Sequence, residues 1–276
     1  MSAAVAERAI AAHGKRIVSA VIMGLLALGV AIAGGPLFLL FWAVASGGIL
    51  WEWNALVGAA PRNAALALGG AGLAGAAITL GLGAPWVALL WLSAGAAAVA
   101  IFTRPPVWSA VGVLYAAALL VPVVVLRGDA RLGLVAVLFL FATVWATDVA
   151  AMYCGRYFGG PKLAPKISPA KTWSGAIGGA VAGIAGGIAL LAVMRFELGA
   201  IHFLVALVVT VTAQLGDLFE SSVKRRFGVK DASEIIPGHG GLMDRLDGFI
   251  AAALAAAIFG ILRAGVTAPA QGILQW

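Results

Sequence analysis

Long apolar segments follow one another through the whole chain, and they restrict its fold more than any other feature. The nine segments cover residues 17–33, 36–51, 64–83, 85–102, 107–126, 132–151, 173–194, 200–220 and 248–265. A helix needs about 20 apolar residues to cross a bilayer, and a mean hydropathy of +1.06 is too high for a soluble chain of this length. We therefore predict an all-α, polytopic integral membrane protein with about nine transmembrane helices. No linker or run of like charge divides the chain, so residues 1–276 form one predicted domain.

The distribution of lysine and arginine predicts the orientation of these helices. If nine spans alternate, 14 cations fall on one side of the membrane and 4 on the other. The cation-rich side is expected to be cytoplasmic, here the inside of a plasma (inner) membrane. Without the cations of the two polar loops the ratio is only 5 to 4, so the prediction depends on both loops lying on one face. The N-terminal 16 residues are polar and precede a full-length span, which favours a retained first helix over a cleaved signal peptide.

Composition excludes several other classes of protein. Cys154 is the only cysteine, so neither an intrachain disulfide nor a zinc–cysteine cluster is available. The net charge of +7 suits anionic lipid headgroups and nucleotide phosphates. So apolar a chain is a poor match for nucleic-acid binding, and we predict no nucleic-acid partner.

Residues 221–247 form the only long polar stretch in the C-terminal half. They hold five cations, four carboxylates, a histidine and two adjacent glycines within 27 residues. Cations of this kind neutralise phosphates, and backbone N–H groups beside glycine can approach an anion closely. The mixture of charges suits a phosphate together with a divalent metal. It predicts phosphoryl or nucleotidyl chemistry at the membrane rather than a merely solvated loop.

Acidic residues inside or next to the apolar segments are candidate metal ligands, because intramembrane charge is costly and usually functional. Asp217 and Glu220 lie three residues apart on the eighth segment, and Asp148 lies near the end of the sixth. Asp244 and Asp247 are likewise three apart at the start of the ninth segment. Since the eighth and ninth segments should be antiparallel neighbours, Asp217 and Asp244 can converge on one cation. Carboxylates and phosphate oxygens are the usual ligands of Mg²⁺. Pairing of such a carboxylate with an arginine, without catalysis, is the alternative interpretation.

A second polar loop precedes the seventh segment. Residues 159–175 carry three lysines and three prolines, and the prolines favour an extended backbone. Thr172 or Ser168 is expected to cap the following helix, whose free N–H groups can bind an anion. The loop is equally typical of a cytoplasmic anchor rich in positive charge.

Small residues recur every fourth position on the seventh segment, at Gly175, Gly179, Gly183 and Gly187. Such a stripe lets another helix approach closely in lipid. It suits packing within the chain, the interface of a homodimer, or a place beside the substrate.

The polar loops resemble those of the phosphatidate cytidylyltransferases, also called CDP-diacylglycerol synthases. The matching residues of the signature are Ser221, Val223, Lys224, Arg225, Lys230, Asp231, His239, Gly240, Gly241, Leu242, Asp244, Arg245, Leu246 and Asp247. The segments beginning at Asp148 and Ser168 also resemble the family and occur in the expected order. The chain departs from the family pattern at Ala170, where a lysine is usual, and at Ser174, where a glutamate is usual.

This resemblance implies transfer of the cytidylyl group of CTP to phosphatidate, giving CDP-diacylglycerol and pyrophosphate for phospholipid biosynthesis. It implies Mg²⁺, with K⁺ as a candidate second cation, held by Asp217 and Asp244. The predicted catalytic residues are Asp217, Asp244, Asp247 and Lys230. The predicted substrate-binding residues are Ser168, Lys171, Thr172, Ser221, Lys224, Arg225, Asp231, His239, Gly240, Gly241 and Arg245.

Two other functions stay open at this point. A CTP-dependent lipid-alcohol kinase would share the membrane spans and the nucleotide, but it would release CDP instead of pyrophosphate. A membrane transporter would explain Asp148, Asp217 and Glu220, but it leaves the glycines and clustered lysines of the polar loops unexplained.

Overall fold

The apolar segments form helices that run back and forth across the molecule. The computed structural model describes residues 19, 21–233, 235 and 240–276. The helices are α1 (Val21–Ala33), α2 (Gly35–Leu56), α3 (Arg62–Gly81), α4 (Pro85–Phe102), α5 (Pro106–Gly128), α6 (Gly133–Phe158), α7 (Trp173–Val193), α8 (Ala200–Arg226), α9 (Met243–Ala264) and α10 (Pro269–Leu274). Within the described residues, eight helices, α2 to α9, are long and apolar enough to cross a membrane, and α1 is shorter. The predicted polytopic helical fold with about nine spans is confirmed, whereas the polar segment 1–16 lies outside the described residues.

Several helices extend beyond the apolar segments that predict them. The second segment was expected to end at residue 51, but α2 continues to Leu56 through Glu52 and Asn54, which are both buried. Likewise α8 continues to Arg226, and α9 begins at Met243 instead of residue 248. Hydropathy marks where a helix leaves the apolar environment, but the helical hydrogen bonds continue beyond that point, and Glu52 finds hydrogen-bond partners inside the protein.

The proline-rich loop before α7 folds into a β-hairpin. Strand β1 (Lys162–Ala164) pairs antiparallel with β2 (Ser168–Thr172), with Lys162 opposite Thr172 and Ala164 opposite Ser168. The extended backbone was predicted from the prolines, but the pairing of the two strands was not. Thr172 ends β2 and caps α7, because its hydroxyl accepts a hydrogen bond from the Gly175 N–H at 3.2 Å.

The glycine stripe of α7 is buried inside the chain, against α6 and α8. A Cβ atom at Gly179 would lie 3.0 Å from the carbonyl oxygen of Thr147. One at Gly183 would overlap the hydroxyl oxygens of Thr147 and Thr210. The glycine stripe therefore serves packing within the chain, and the homodimer stays a prediction.

Tryptophan side chains fix α2 against α5 and α9. The indole N–H of Trp53 donates to the carbonyl of Trp108 on α5 at 2.8 Å. The ring of Trp42 stacks on that of Phe249 on α9, with 5.3 Å between centroids. These contacts hold α2 against α5 and the first turns of α9, which follow the α8–α9 loop.

The opposite end of the bundle is fastened by Asp129, between α5 and α6. Its carboxylate accepts hydrogen bonds from the backbone N–H groups of Arg131, Leu132 and Gln271, at 3.0 to 3.1 Å. Burial raises the pKa of Asp129, but hydrogen bonds from the N–H groups of Leu132, Gln271 and Arg131 outweigh that effect and place the pKa below its usual range. The ionised carboxylate thus joins α10 to the α5–α6 turn.

Candidate active site

A charged cavity of about 500 Å³ lies where the hairpin meets the ends of α6, α7, α8 and α9. Its ionisable lining residues are Asp148, Asp217, Glu220, Asp231, Asp244 and Asp247, together with Arg156, Lys171, Lys224 and Arg245. Carboxylates outnumber cations by two in this lining. An excess of negative charge in a confined space favours binding of a cation, while the lysines and arginines can meet phosphate oxygens.

Lys224 joins α8 to α9 through two carboxylates. Its ammonium nitrogen lies 2.7 Å from Oε2 of Glu220, one helical turn earlier, and 2.5 Å from Oδ1 of Asp244. The side chains of Glu220 and Asp244 are only 1% and 6% exposed. Buried charges of this kind persist only when they are paired, so Lys224 compensates two acidic groups at once.

The second oxygen of Asp244 organises the polar loop. Oδ2 accepts hydrogen bonds from the Gly241 N–H at 2.8 Å and the Ala232 N–H at 3.1 Å. Asp244 also lies in the first turn of α9, where a carboxylate interacts favourably with the helix dipole. The Asp244 side chain, which lines the cavity, therefore joins Ala232 to Gly241.

Lys171 connects the hairpin to the opposite wall of the cavity. Its ammonium nitrogen lies 2.5 Å from Oδ2 of Asp217 on α8. The Ser221 hydroxyl lies 3.5 Å from Oδ1 of the same carboxylate. Both side chains of the ion pair are partly exposed, at 24% and 37%, so the pair faces the open cavity.

Glu52 of α2 contacts the polar loop from the N-terminal half of the chain. Its carboxylate accepts hydrogen bonds from the Ser233 hydroxyl at 2.5 Å, the Leu242 N–H at 2.7 Å and the Met243 N–H at 2.6 Å. Sequence analysis missed this residue, because the predicted second span ended one position before it. A carboxylate next to two tryptophans at the end of an apolar segment was the available signal.

Comparison with known proteins identifies the family of the chain. A model of the family described as "Cytidylyltransferase family" matches residues 14–262. The chain belongs to this family. The phosphatidate cytidylyltransferase of Brucella suis biovar 1 is 39% identical over 259 residues, which cover 92% of this chain and 95% of the relative. The enzyme of that name from Staphylococcus aureus strain COL is 44% identical over 119 residues, 43% of this chain and 46% of the relative.

The cavity of this cytidylyltransferase brings together many of the predicted site residues. It is lined by Asp217, Asp244, Asp247, Lys171, Thr172, Lys224, Asp231 and Arg245. Asp148 and Arg156, outside the predicted set, line it as well. Among the described residues, the lining does not include Ser168, Ser221, Arg225, Lys230, Gly240 or Gly241. His239 lies outside the described residues, and the roles of all these side chains stay predictions.

Arg225, which was predicted to bind substrate phosphate, donates hydrogen bonds to backbone carbonyls in this structure. Its Nε donates to the carbonyl of Ile167 in the hairpin turn at 3.2 Å, and Nη1 donates to the carbonyl of Val229 at 3.3 Å. The side chain thus ties the hairpin to the end of α8. Both polar loops of the enzyme are held together at this point.

The carboxylates of the cavity suit a Mg²⁺ ion whose remaining ligands come from substrate phosphates and water. Across the described ranges, no group of three or more His, Cys, Asp or Glu side chains is arranged to hold a metal ion by itself. Mg²⁺ rarely needs such a cage, since one or two carboxylates, water and substrate phosphates complete its octahedron. Asp217 and Asp244 bring carboxylates from neighbouring helices to the same cavity. Mg²⁺ at this pair, with or without K⁺, stays a prediction.

Proposed function

We propose that the enzyme transfers the cytidylyl group of CTP to phosphatidate, forming CDP-diacylglycerol and pyrophosphate. One observation carries the proposal: Asp247 lines both the charged cavity and an adjoining apolar groove of about 420 Å³. A phosphorylated lipid has a charged headgroup joined to hydrocarbon chains, so it needs two such compartments in contact. The names of the relatives support phosphatidate as this lipid.

The apolar groove suits the hydrocarbon part of the substrate. It runs between α5, α8 and α9 and is lined by side chains such as Tyr115, Leu215, Phe219, Ile250 and Leu254. Leu215 and Phe219 are exposed on the outer surface of the bundle. Membrane lipid can therefore enter sideways, with its phosphate arriving beside Asp247.

The reaction needs relief from charge repulsion more than it needs a general base. A phosphate monoester is largely dianionic at pH 7, so a phosphatidate oxygen can attack the α-phosphorus of CTP directly. The new bond joins that oxygen to the α-phosphorus, and the bond from the α-phosphorus to the bridging oxygen breaks to release pyrophosphate. Lys171, Lys224 and Arg245 line the same cavity, and their positive charges would offset the negative charge of the two reactants.

The acidic side chains have a different task in this proposal. Asp217 and Asp244 would hold Mg²⁺, and Asp247 would support that shell from the mouth of the groove. The ion, when bound, supplies neutralisation of phosphate oxygens during in-line displacement. The lysines that pair with Asp217 and Asp244 keep each carboxylate in place on the cavity wall.

The proposed location is a plasma (inner) membrane with the active site on the cytoplasmic side. The hairpin and the α8–α9 loop lie on one face of the bundle, joined through Arg225. Residues 156–171 and 224–245 carry nine of the 18 lysines and arginines of the chain, and short basic loops stay predominantly cytoplasmic. CTP, a highly charged soluble nucleotide, would reach the cavity from that side.

A product assay on purified enzyme tests the proposed function. With phosphatidate, CTP and Mg²⁺, we expect pyrophosphate and CDP-diacylglycerol in equal amounts. Asp217→Asn and Asp244→Asn should each lower turnover by at least about 100-fold, because each removes a negative charge aimed at the proposed ion. Glu197→Gln, an exposed acid in the α7–α8 turn, is the matched control.

Other products would contradict the proposal. Release of CDP together with a newly phosphorylated lipid alcohol would identify the kinase. Near-normal turnover of either aspartate variant would remove that residue from the proposed metal site. Lipid-independent flux of an ion through reconstituted vesicles, without nucleotide turnover, would favour a transporter.

A further inference from the structure

We propose that Glu52 is a positioning residue, which fixes the start of α9 and thereby aims Asp244 into the cavity. The proposal rests on the role of Asp244 in the proposed function. It concerns a side chain from α2, 190 residues before the Leu242 N–H that it binds. None of the polar motifs used to recognise the family contains this residue.

The first turn of α9 lacks a cap from its own sequence. Leu242 is its N-cap, and no side chain of the helix start accepts a hydrogen bond there. The first N–H groups of a helix need partners from elsewhere. Glu52 supplies them, because its two oxygens accept the N–H groups of Leu242 and Met243. A buried carboxylate also interacts favourably with the positive end of the helix dipole.

Gly241 transmits this constraint to Asp244. A Cβ atom at Gly241 would lie 2.8 Å from Oε1 of Glu52 and 3.1 Å from Oδ2 of Asp244. The Gly241 N–H donates to that Asp244 oxygen. The loop backbone is thus held between two carboxylates, one on α2 and one on α9. A shift of the Glu52 side chain would displace Gly241, and with it the Asp244 carboxylate.

The geometry requires a carboxylate rather than a general polar group. Three donors, the Ser233 hydroxyl and two backbone N–H groups, converge on the two oxygens of Glu52. Glutamine has the same length, but its amide nitrogen would face an N–H group and replace one hydrogen bond by a repulsive contact. Aspartate keeps both acceptors and the charge but shortens the side chain by one methylene. The Glu52 side chain is fully buried, so water cannot replace a lost bond.

The test compares Glu52→Gln, Glu52→Asp, Ser233→Ala and the control Glu197→Gln. Thermal midpoints in detergent establish that each variant is folded. For Glu52→Gln we expect kcat to fall about 10- to 100-fold, as for partners that orient metal ligands, with the KM for phosphatidate within about threefold of the parent enzyme. Glu52→Asp should retain more activity than Glu52→Gln, and Ser233→Ala, which loses one of three donors, should lose less than Glu52→Gln.

Hydrogen exchange supplies a readout that does not depend on the reaction. In Glu52→Gln, peptides spanning 240–246 should exchange faster, while peptides of α3, α4 and α10 should keep the parent rate. Faster exchange confined to residues 240–246, together with a lowered kcat, supports the proposal. Near-normal kcat, or a loss of activity with unchanged exchange at 240–246, overturns it. Uniformly faster exchange, or failure of both Glu52 variants to fold, also overturns it in favour of a purely structural role. If the parent enzyme makes no CDP-diacylglycerol, the proposed function fails, while the exchange data still decide whether Glu52 holds the loop.

Discussion

Replacement of Lys224 by methionine should destabilise the protein and abolish its activity. Methionine keeps the length of the side chain but removes the ammonium group that lies between Glu220 and Asp244. The variant therefore leaves two acidic groups, 1% and 6% exposed, without their shared cation. Asp244 keeps its two backbone N–H donors, so most of the penalty falls on Glu220.

The magnitude follows from the cost of an uncompensated buried charge. Removal of one partner of a buried ion pair costs about 3–5 kcal/mol. A loss of 1 kcal/mol lowers the thermal midpoint of a chain of roughly this size by about 2–4 °C. We therefore expect the midpoint of Lys224→Met to fall by roughly 6–20 °C. Glu220→Gln in the same chain removes the orphaned charge and should recover at least about half of that loss.

Thermal unfolding of the purified variants in detergent measures these shifts. Lys166→Met, at an exposed lysine in the hairpin turn, is the matched control and should change the midpoint little. The double variant should regain stability but not turnover, since it still lacks the ammonium group that is proposed to offset phosphate charge. A double variant no more stable than Lys224→Met, or an unchanged midpoint in Lys224→Met itself, would refute the reasoning.

Three further predictions concern the framework around the site. Gly183→Ala should lower the unfolding free energy by about 1–3 kcal/mol, because the added methyl group overpacks against α6 and α8. The control Gly70→Ala, whose methyl group would face open space, should leave the thermal midpoint unchanged. Thermal midpoints of both variants test this prediction. Thr172→Ala should cost about 1 kcal/mol by removing the cap of α7, and an unchanged midpoint would contradict that role. Asp129 has a lowered pKa, so its stabilisation is present above the unfolded pKa of about 3.9 and is lost as the pH falls through the folded pKa. The midpoint difference between the parent and Asp129→Asn should accordingly be full at pH 7 and shrink below about pH 4; a difference that persists at low pH would contradict this.

The membrane fold was predictable because lipid imposes a simple rule on sequence. Every span must hide its backbone behind apolar side chains over a fixed thickness, so hydropathy alone located α2 to α9. The helix ends were not predictable in the same way. Glu52 and Asn54 extend α2 because they are buried against other parts of the chain, and that burial is a tertiary property which no local pattern reports.

The site was predictable where its residues lie close together in sequence. Antiparallel α8 and α9 bring Asp217, Lys224 and Asp244 to one cavity, as their spacing indicated. The backbone hydrogen bonds of Arg225 could not be foreseen, because they depend on where the hairpin turn comes to rest. Glu52 was missed for a similar reason, since its partners lie far along the chain and share no periodicity with it.

The contact between α2 and the start of α9 has a consequence for biogenesis. During synthesis α2 is inserted long before α9 has been made. Glu52 therefore lacks the Leu242 N–H that it binds until almost the whole polypeptide has been inserted. Completion of the proposed catalytic centre is thus one of the last events of assembly. A nascent chain arrested before α9 would be anchored in the bilayer and would lack the α9 side of the cavity.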